Sequence, residues 1–126
     1  YLFKDNLKCQ EINPGKTGGH FSSELAKEPL LEGDEFAIDF QYQYNSESDS
    51  VLLIIEIVNN ETEVMSREER LVGVSNKWKK RSVVFEIPED VKSSDRVLFY
   101  FKNESKTDFF ITDLCAAVNR KNIICN

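Results

Sequence analysis

Apolar and polar residues alternate with a period of two along most of this chain. Phe36 to Tyr44, FAIDFQYQY, sets Phe36, Ile38, Phe40, Tyr42 and Tyr44 on one face of a strand and Ala37, Asp39, Gln41 and Gln43 on the other. Val51 to Val58, VLLIIEIV, is β-branched and almost continuously apolar, which predicts a strand in the middle of a sheet. Between them Asn45 to Ser50, NSESDS, reads as a turn, and Asn59-Asn60-Glu61 as a hairpin turn, because Asn tolerates positive φ. Thr62 to Val74 is ambiguous: MSREERL suits a helical turn, but a hairpin partner returning from Asn60 fits better, with Ser75-Asn76-Lys77 as its break.

Alternation resumes in Trp78 to Ile87, WKKRSVVFEI, with Val83, Phe85 and Ile87 facing one way until Pro88 removes a ladder donor. A polar loop, Pro88 to Asp95, leads to Arg96–Lys102, RVLFYFK, and Phe109–Val118, FFITDLCAAV, two further strands separated by the turn 103–108. Nearer the start, Asn13-Pro14-Gly15 and Gly18-Gly19 are loop signals. His20 to Ala26 is a candidate strand, closed by Leu31-Glu32-Gly33-Asp34. Roughly seven or eight short strands with frequent turns and no clear helix predict one all-β domain, an antiparallel sandwich or barrel.

The order of these pieces resembles that of the β-jelly-roll, galactose-binding-like domains found among carbohydrate-binding modules. The resemblance rests on the Gly33-Asp34 turn, the strand opened by Trp78 and stopped at Pro88, the strand Tyr100 to Asn103, and Ile111 to Leu114, over residues 15 to 118. It implies an antiparallel β-sandwich with jelly-roll topology spanning 1–126. Residues 1–14 would be a divergent or partly ordered N-terminal segment and 119–126 a C-terminal tail. It further implies saccharide binding by polar residues on a concave sheet face. The outward residues of the predicted strands nominate Asp39, Gln41, Gln43, Glu56 and Tyr100, provided that their strands are neighbours. A solvated sheet face is the plainer account of the same residues. Modules of this type often hold a structural calcium, which would make Asp113 its side-chain ligand, completed by loop carbonyls near Gly18. Calcium wants six to eight oxygens, and only this carboxylate stands out.

Charge narrows the partners. The 126 residues carry a net charge of −6, and the pI is about 4.9, which argues against nucleic acid and anionic membrane surfaces. The basic run Lys77, Lys79, Lys80 and Arg81 reads as a charged strand edge that discourages aggregation. No apolar run approaches a membrane span. The chain begins at Tyr1 without a signal peptide, as expected of a mature or excised part of a larger extracytoplasmic protein.

Catalytic patterns are lacking. His20, the sole histidine, sits in a loop-to-strand transition and reads as a surface or edge residue. With 22 acidic residues in the chain, a pair of carboxylates carries no signal for glycoside hydrolysis. Cys9, Cys115 and Cys125 lack metal-ligand spacing and allow one disulfide plus a thiol, or three thiols; Cys115 reads as a buried small hydrophobe. Trp78 invites a stacking role but reads as packing at the sandwich edge. Asn60-Glu61-Thr62 and Asn103-Glu104-Ser105 match the N-glycosylation sequon in turns. Two functions follow: a monomeric, non-catalytic module binding an oligosaccharide or polysaccharide, or a spacer or protein-contact ectodomain of the same fold. The low aromatic content of the polar face favours the second.

Overall fold

The computed structural model describes residues 2–5, 7–22, 31–45, 50–59, 62–89, 91, 95–119 and 121–125. Most of the turn read at 45–50, residues 23–26 of the third strand, Asn60 and Glu61 of the hairpin turn with the first sequon, and much of loop 88–95 lie outside them. The described residues form β1 (Leu2–Lys4), β2 (Leu7–Ile12), β3 (Thr17–Ser22), β4 (Glu35–Tyr44), β5 (Val51–Asn59), β6 (Thr62–Leu71), β7 (Val74–Glu86), β8 (Arg96–Asn103), β9 (Phe109–Val118) and β10 (Lys121–Cys125). Two antiparallel sheets result. One runs β1-β2-β9-β4-β7, with β10 also on β9, and the other runs β3-β8-β5-β6. The pairs β2·β9, β3·β8, β4·β7 and β5·β6 are nested, first strand with last, which is the wrapped double hairpin of a jelly roll.

The parity of the strands decides what lies between the sheets. Phe36, Ile38, Phe40, Tyr42 and Tyr44 of β4 are buried, facing Leu53, Ile55 and Ile57 of β5 and Phe99 and Phe101 of β8. Tyr42 and Tyr44 can sit there because each phenol donates to a backbone carbonyl, Tyr42 to Val72 at 2.9 Å and Tyr44 to Leu71. These two bonds anchor the β6–β7 connection. β5 is flanked on both sides, as its almost continuous apolar run predicts, and Val83, Phe85 and Ile87 are core residues.

At the open edge between β6 and β7, residues of inward parity are charged. Glu69 accepts from Arg67 Nε at 3.0 Å and from Arg81 at 3.4 Å, so ions cover the seam where the sheets part. Lys77, Lys79 and Lys80 are exposed on β7, a terminal strand of its sheet, as expected of a charged edge.

Several expectations change. Segment 1–14 supplies β1 and β2, and 119–126 supplies β10, rather than a divergent lead and a tail. Strand formation there comes from pairing of β2 and β10 with β9, and of β1 with β2, which local alternation did not reveal. Residues 62–71 are strand, and the break after them is Val72-Gly73. Ser75 to Lys77 lie within β7, where four residues, 75–78, answer Gln43 alone in an irregular register between Tyr42 and Tyr44. Cys115 is half-buried and bonded to Cys125, directly opposite it on β10, while Cys9 is a buried free thiol.

Candidate functional site

The five residues nominated for one concave surface do not share a face. Asp39, Gln41 and Gln43 point outward from the β4 sheet, whereas Glu56 and Tyr100 point outward from the β5–β8 sheet on the opposite side of the core. Their common polar parity was read correctly. The adjacency was not, because strand order is set by long-range pairing that local alternation does not encode. Gln43 is also no free surface group: it is buried, and its amide donates at 3.0 Å to Asp5, at the turn between β1 and β2.

The β5–β8 face gathers the more varied chemistry. Tyr100 opposes Ile54 and Glu56 opposes Leu98, so Tyr100 and Glu56 are diagonal neighbours, and the phenol donates to the Glu56 carboxylate at 3.0 Å. The His20 imidazole stacks on the Tyr100 ring, with centroids 5.4 Å apart and planes 22° from parallel. His20 Nε2 shares a hydrogen bond of 3.3 Å with the Thr17 hydroxyl. A β-bulge makes this possible. Gly18 pairs with Phe101 and Phe21 with Phe99, so Gly19 and His20 together answer Tyr100 alone. Gly19 adopts φ +63°, and a Cβ there would lie 2.7 Å from the Phe101 ring. The extra residue turns His20 out over Tyr100. The Gly18-Gly19 pair, read as a loop, thus lies inside β3 with Gly19 in the bulge, and a glycine in a strand ahead of a polar aromatic was its signal.

On the opposite face, Asp39, Gln41, Lys80, Arg81, Ser82 and Asp113, with Phe40, line a shallow depression of about 480 Å3. A second bulge shapes it: Asp39 pairs with Cys115 and Gln41 with Thr112, leaving Asp113 and Leu114 to answer Phe40. Asp113 sits at φ +53°, and its carboxylate accepts from the Gln41 amide. The residues named for calcium are not brought together. Asp113 faces out of one sheet while Gly18 belongs to the other, packed against Ile12, and among the described residues no three acidic, His or Cys side chains converge.

The remaining candidates fall to structural roles. Asn103 is fully buried, so the folded chain offers no glycosylation acceptor there. Its amide donates at 2.8 Å to the Ile12 and Thr107 carbonyls, and its oxygen accepts from Ser105 N and Oγ. Trp78 is half-buried on the edge strand β7, and its indole N–H is shielded from solvent without a partner among the described residues. Cys9 is 1% exposed, and burial pushes its thiol pKa up, against the opposing pull of Lys4. That environment keeps it protonated and unreactive.

No family sequence profile matches the chain, and no curated protein matches it. Solved structures do. The CBM22-1–GH10 modules of Clostridium thermocellum xylanase 10B, complexed with xylohexaose, align at TM-score 0.62 and 16% identity, over 91% of this chain and 22% of that one. A CBM4 structure aligns at 0.53 and 14%, over 91% and 72%. A family 16 carbohydrate-binding module aligns at 0.53 and 13%, over 85% and 74%. At these identities the likeness is one of fold. The chain has the β-sandwich of carbohydrate-binding modules.

Proposed function

We propose that this domain is a non-catalytic saccharide-binding module whose ligand lies on the outer face of the β5–β8 sheet, against Tyr100, Glu56, His20 and Thr17. The observation that carries the reading is the half-buried Tyr100–Glu56 pair capped by the exposed His20, which joins aromatic ring, carboxylate and imidazole on one outward strand face. Sugars present C–H groups to rings and hydroxyls to carboxylates, and this cluster offers both. The fold supports the reading, since the neighbours of this shape include modules named for carbohydrate binding and one solved with xylohexaose. The Cys115–Cys125 disulfide suits an extracytoplasmic unit of a larger protein.

One ring and a few hydrogen bonds are worth roughly 4–5 kcal/mol, which corresponds to a Kd on the order of 0.1–1 mM. A glycan array followed by calorimetry tests the proposal. It requires saccharide binding that Tyr100→Ala abolishes while the melting profile stays cooperative. Absence of binding across plant, microbial and host glycans would leave the spacer or protein-contact role, for which Phe3 at 75% and Ile123 at 64% exposure supply apolar surface.

A further inference from the structure

We infer that the free edge of β7 docks an extended, acidic peptide segment of another protein, which adds to the sheet as a further antiparallel strand. β7 is the longest strand described, at 13 residues, and it ends its sheet, paired with β4 alone. From Lys79 to Glu86 it matches β4 residue for residue, Tyr42 to Glu35, and the irregular register is confined to 75–78. In an antiparallel pair, alternate residues turn their N–H and C=O groups to the partner, and those between turn them away. Half of the backbone groups of this stretch therefore point to the open side, where no described strand receives them. The other edges are poorer templates. β1 and β10 are short, at 3 and 5 residues, β3 carries the bulge at Gly19-His20, and on β6 Arg67 is held by Glu69.

Charge sets the partner. Lys77, Lys79 and Lys80 are exposed, and none makes an ion pair among the described residues. In a chain of net charge −6 this edge is a basic strip on an acidic molecule. On the outward side, Lys80 is followed at every second position by Ser82, Val84 and Glu86, and Val84 is 39% exposed. Arg81, of the other parity, is already turned to Glu69. Antiparallel pairing runs the partner from Glu86 towards Lys79. Its best match is an apolar residue opposite Val84 and, further along, carboxylates opposite Lys80 and Lys79. Lysines at an edge discourage a neutral strand, and carboxylates remove that barrier. A second copy is the weaker fit, because its β7 carries one carboxylate, Glu86, and four cationic side chains of its own. A nucleic acid or sulfated polysaccharide meets the lysines but lacks the alternating N–H and C=O groups that the ladder needs. The open backbone therefore favours a peptide.

Amide chemical shifts and deuterium exchange of the isotopically labelled full chain test this. The probe is a synthetic peptide, blocked at both ends, of alternating valine and threonine followed by aspartates. The amides of Lys79 to Glu86 should shift saturably, and those on the open side should gain protection, while the Tyr100 amide stays still. Affinity should fall severalfold as salt is raised. Lys79→Glu combined with Lys80→Glu, at two exposed positions, should weaken binding about tenfold or more. The same variant should instead take up a peptide with lysines in place of the aspartates. Amides of that stretch that stay still at millimolar peptide would overturn the inference. So would equal binding of a peptide N-methylated at alternate residues, or of a sulfated polysaccharide, since neither can complete the ladder. Self-association of the chain that the double substitution abolishes would assign the edge to a second copy and overturn it as well.

Discussion

Replacing Asn103 by alanine should cost this domain more than any other single polar substitution in the described structure. Asn103 is 0% exposed and stands where three segments meet. Its side chain ties the end of β2 through Ile12 O and the 103–108 turn through Thr107 O and Ser105. Its backbone exchanges bonds with Gly15 and Lys16. Truncation leaves Ile12 O and Ser105 N without partners. Thr107 O keeps the Ser105 hydroxyl at 2.9 Å, and that hydroxyl keeps a target. Two orphaned buried groups at about 1–3 kcal/mol each give a loss of roughly 3–4 kcal/mol, out of a total stability of about 5–15. Urea denaturation of both proteins measures it, read as a fall in midpoint at unchanged slope. A loss below about 1 kcal/mol would mean that water or a relaxed turn satisfies the stranded groups, and the claim that Asn103 is a structural hub would fall.

Three further outcomes follow from the same geometry. Gly19→Ala combines a left-handed φ with a Cβ 2.7 Å from Phe101, so it should destabilise by roughly 2–3 kcal/mol and loosen the His20–Tyr100 stack; a melting temperature equal to that of the parent would contradict the bulge. Reducing Cys115–Cys125, which are 10 residues apart, should lower stability by about 2–3 kcal/mol in the loop-entropy picture, seen by calorimetry with and without dithiothreitol. Unchanged unfolding would show that β10 adds nothing. Cys9 should resist iodoacetamide at pH 8 until denaturant is added. Because folding raises its pKa, its contribution to stability is intact below the ordinary thiol value of 9.0 and declines as pH climbs from there toward the folded value. Rapid labelling of the native chain would refute its burial.

Strand positions were legible where burial on one face imposes period two, as in β4 and β8, and in β5 from its almost continuous apolar run, buried on both faces. They were illegible where tertiary pairing alone makes the strand. β2, LKCQEI, has little alternation of its own and is fixed by three register pairs with β9 and by the Thr112 hydroxyl on Lys8 O. The outward parity of Asp39, Gln41, Glu56 and Tyr100 could be read locally, but the face each belongs to could not, because sheet membership is a property of the whole wrap. Both bulges, at Gly19-His20 and at Asp113, lay hidden for the same reason: a bulge is defined by the partner strand as much as by its own residues. His20 was read as a surface or edge residue and is one, exposed on the terminal strand β3; its place over Tyr100, set by the extra residue, was not legible.

The central claim, that the Tyr100 face is a saccharide site, is met most directly by titration calorimetry of the wild-type chain beside Tyr100→Ala and Glu56→Gln, using whichever oligosaccharide binds the wild type on an array. The account predicts a loss of at least tenfold in affinity for Tyr100→Ala and a smaller loss for Glu56→Gln, with both variants melting cooperatively. Equal affinity in all three proteins would contradict it.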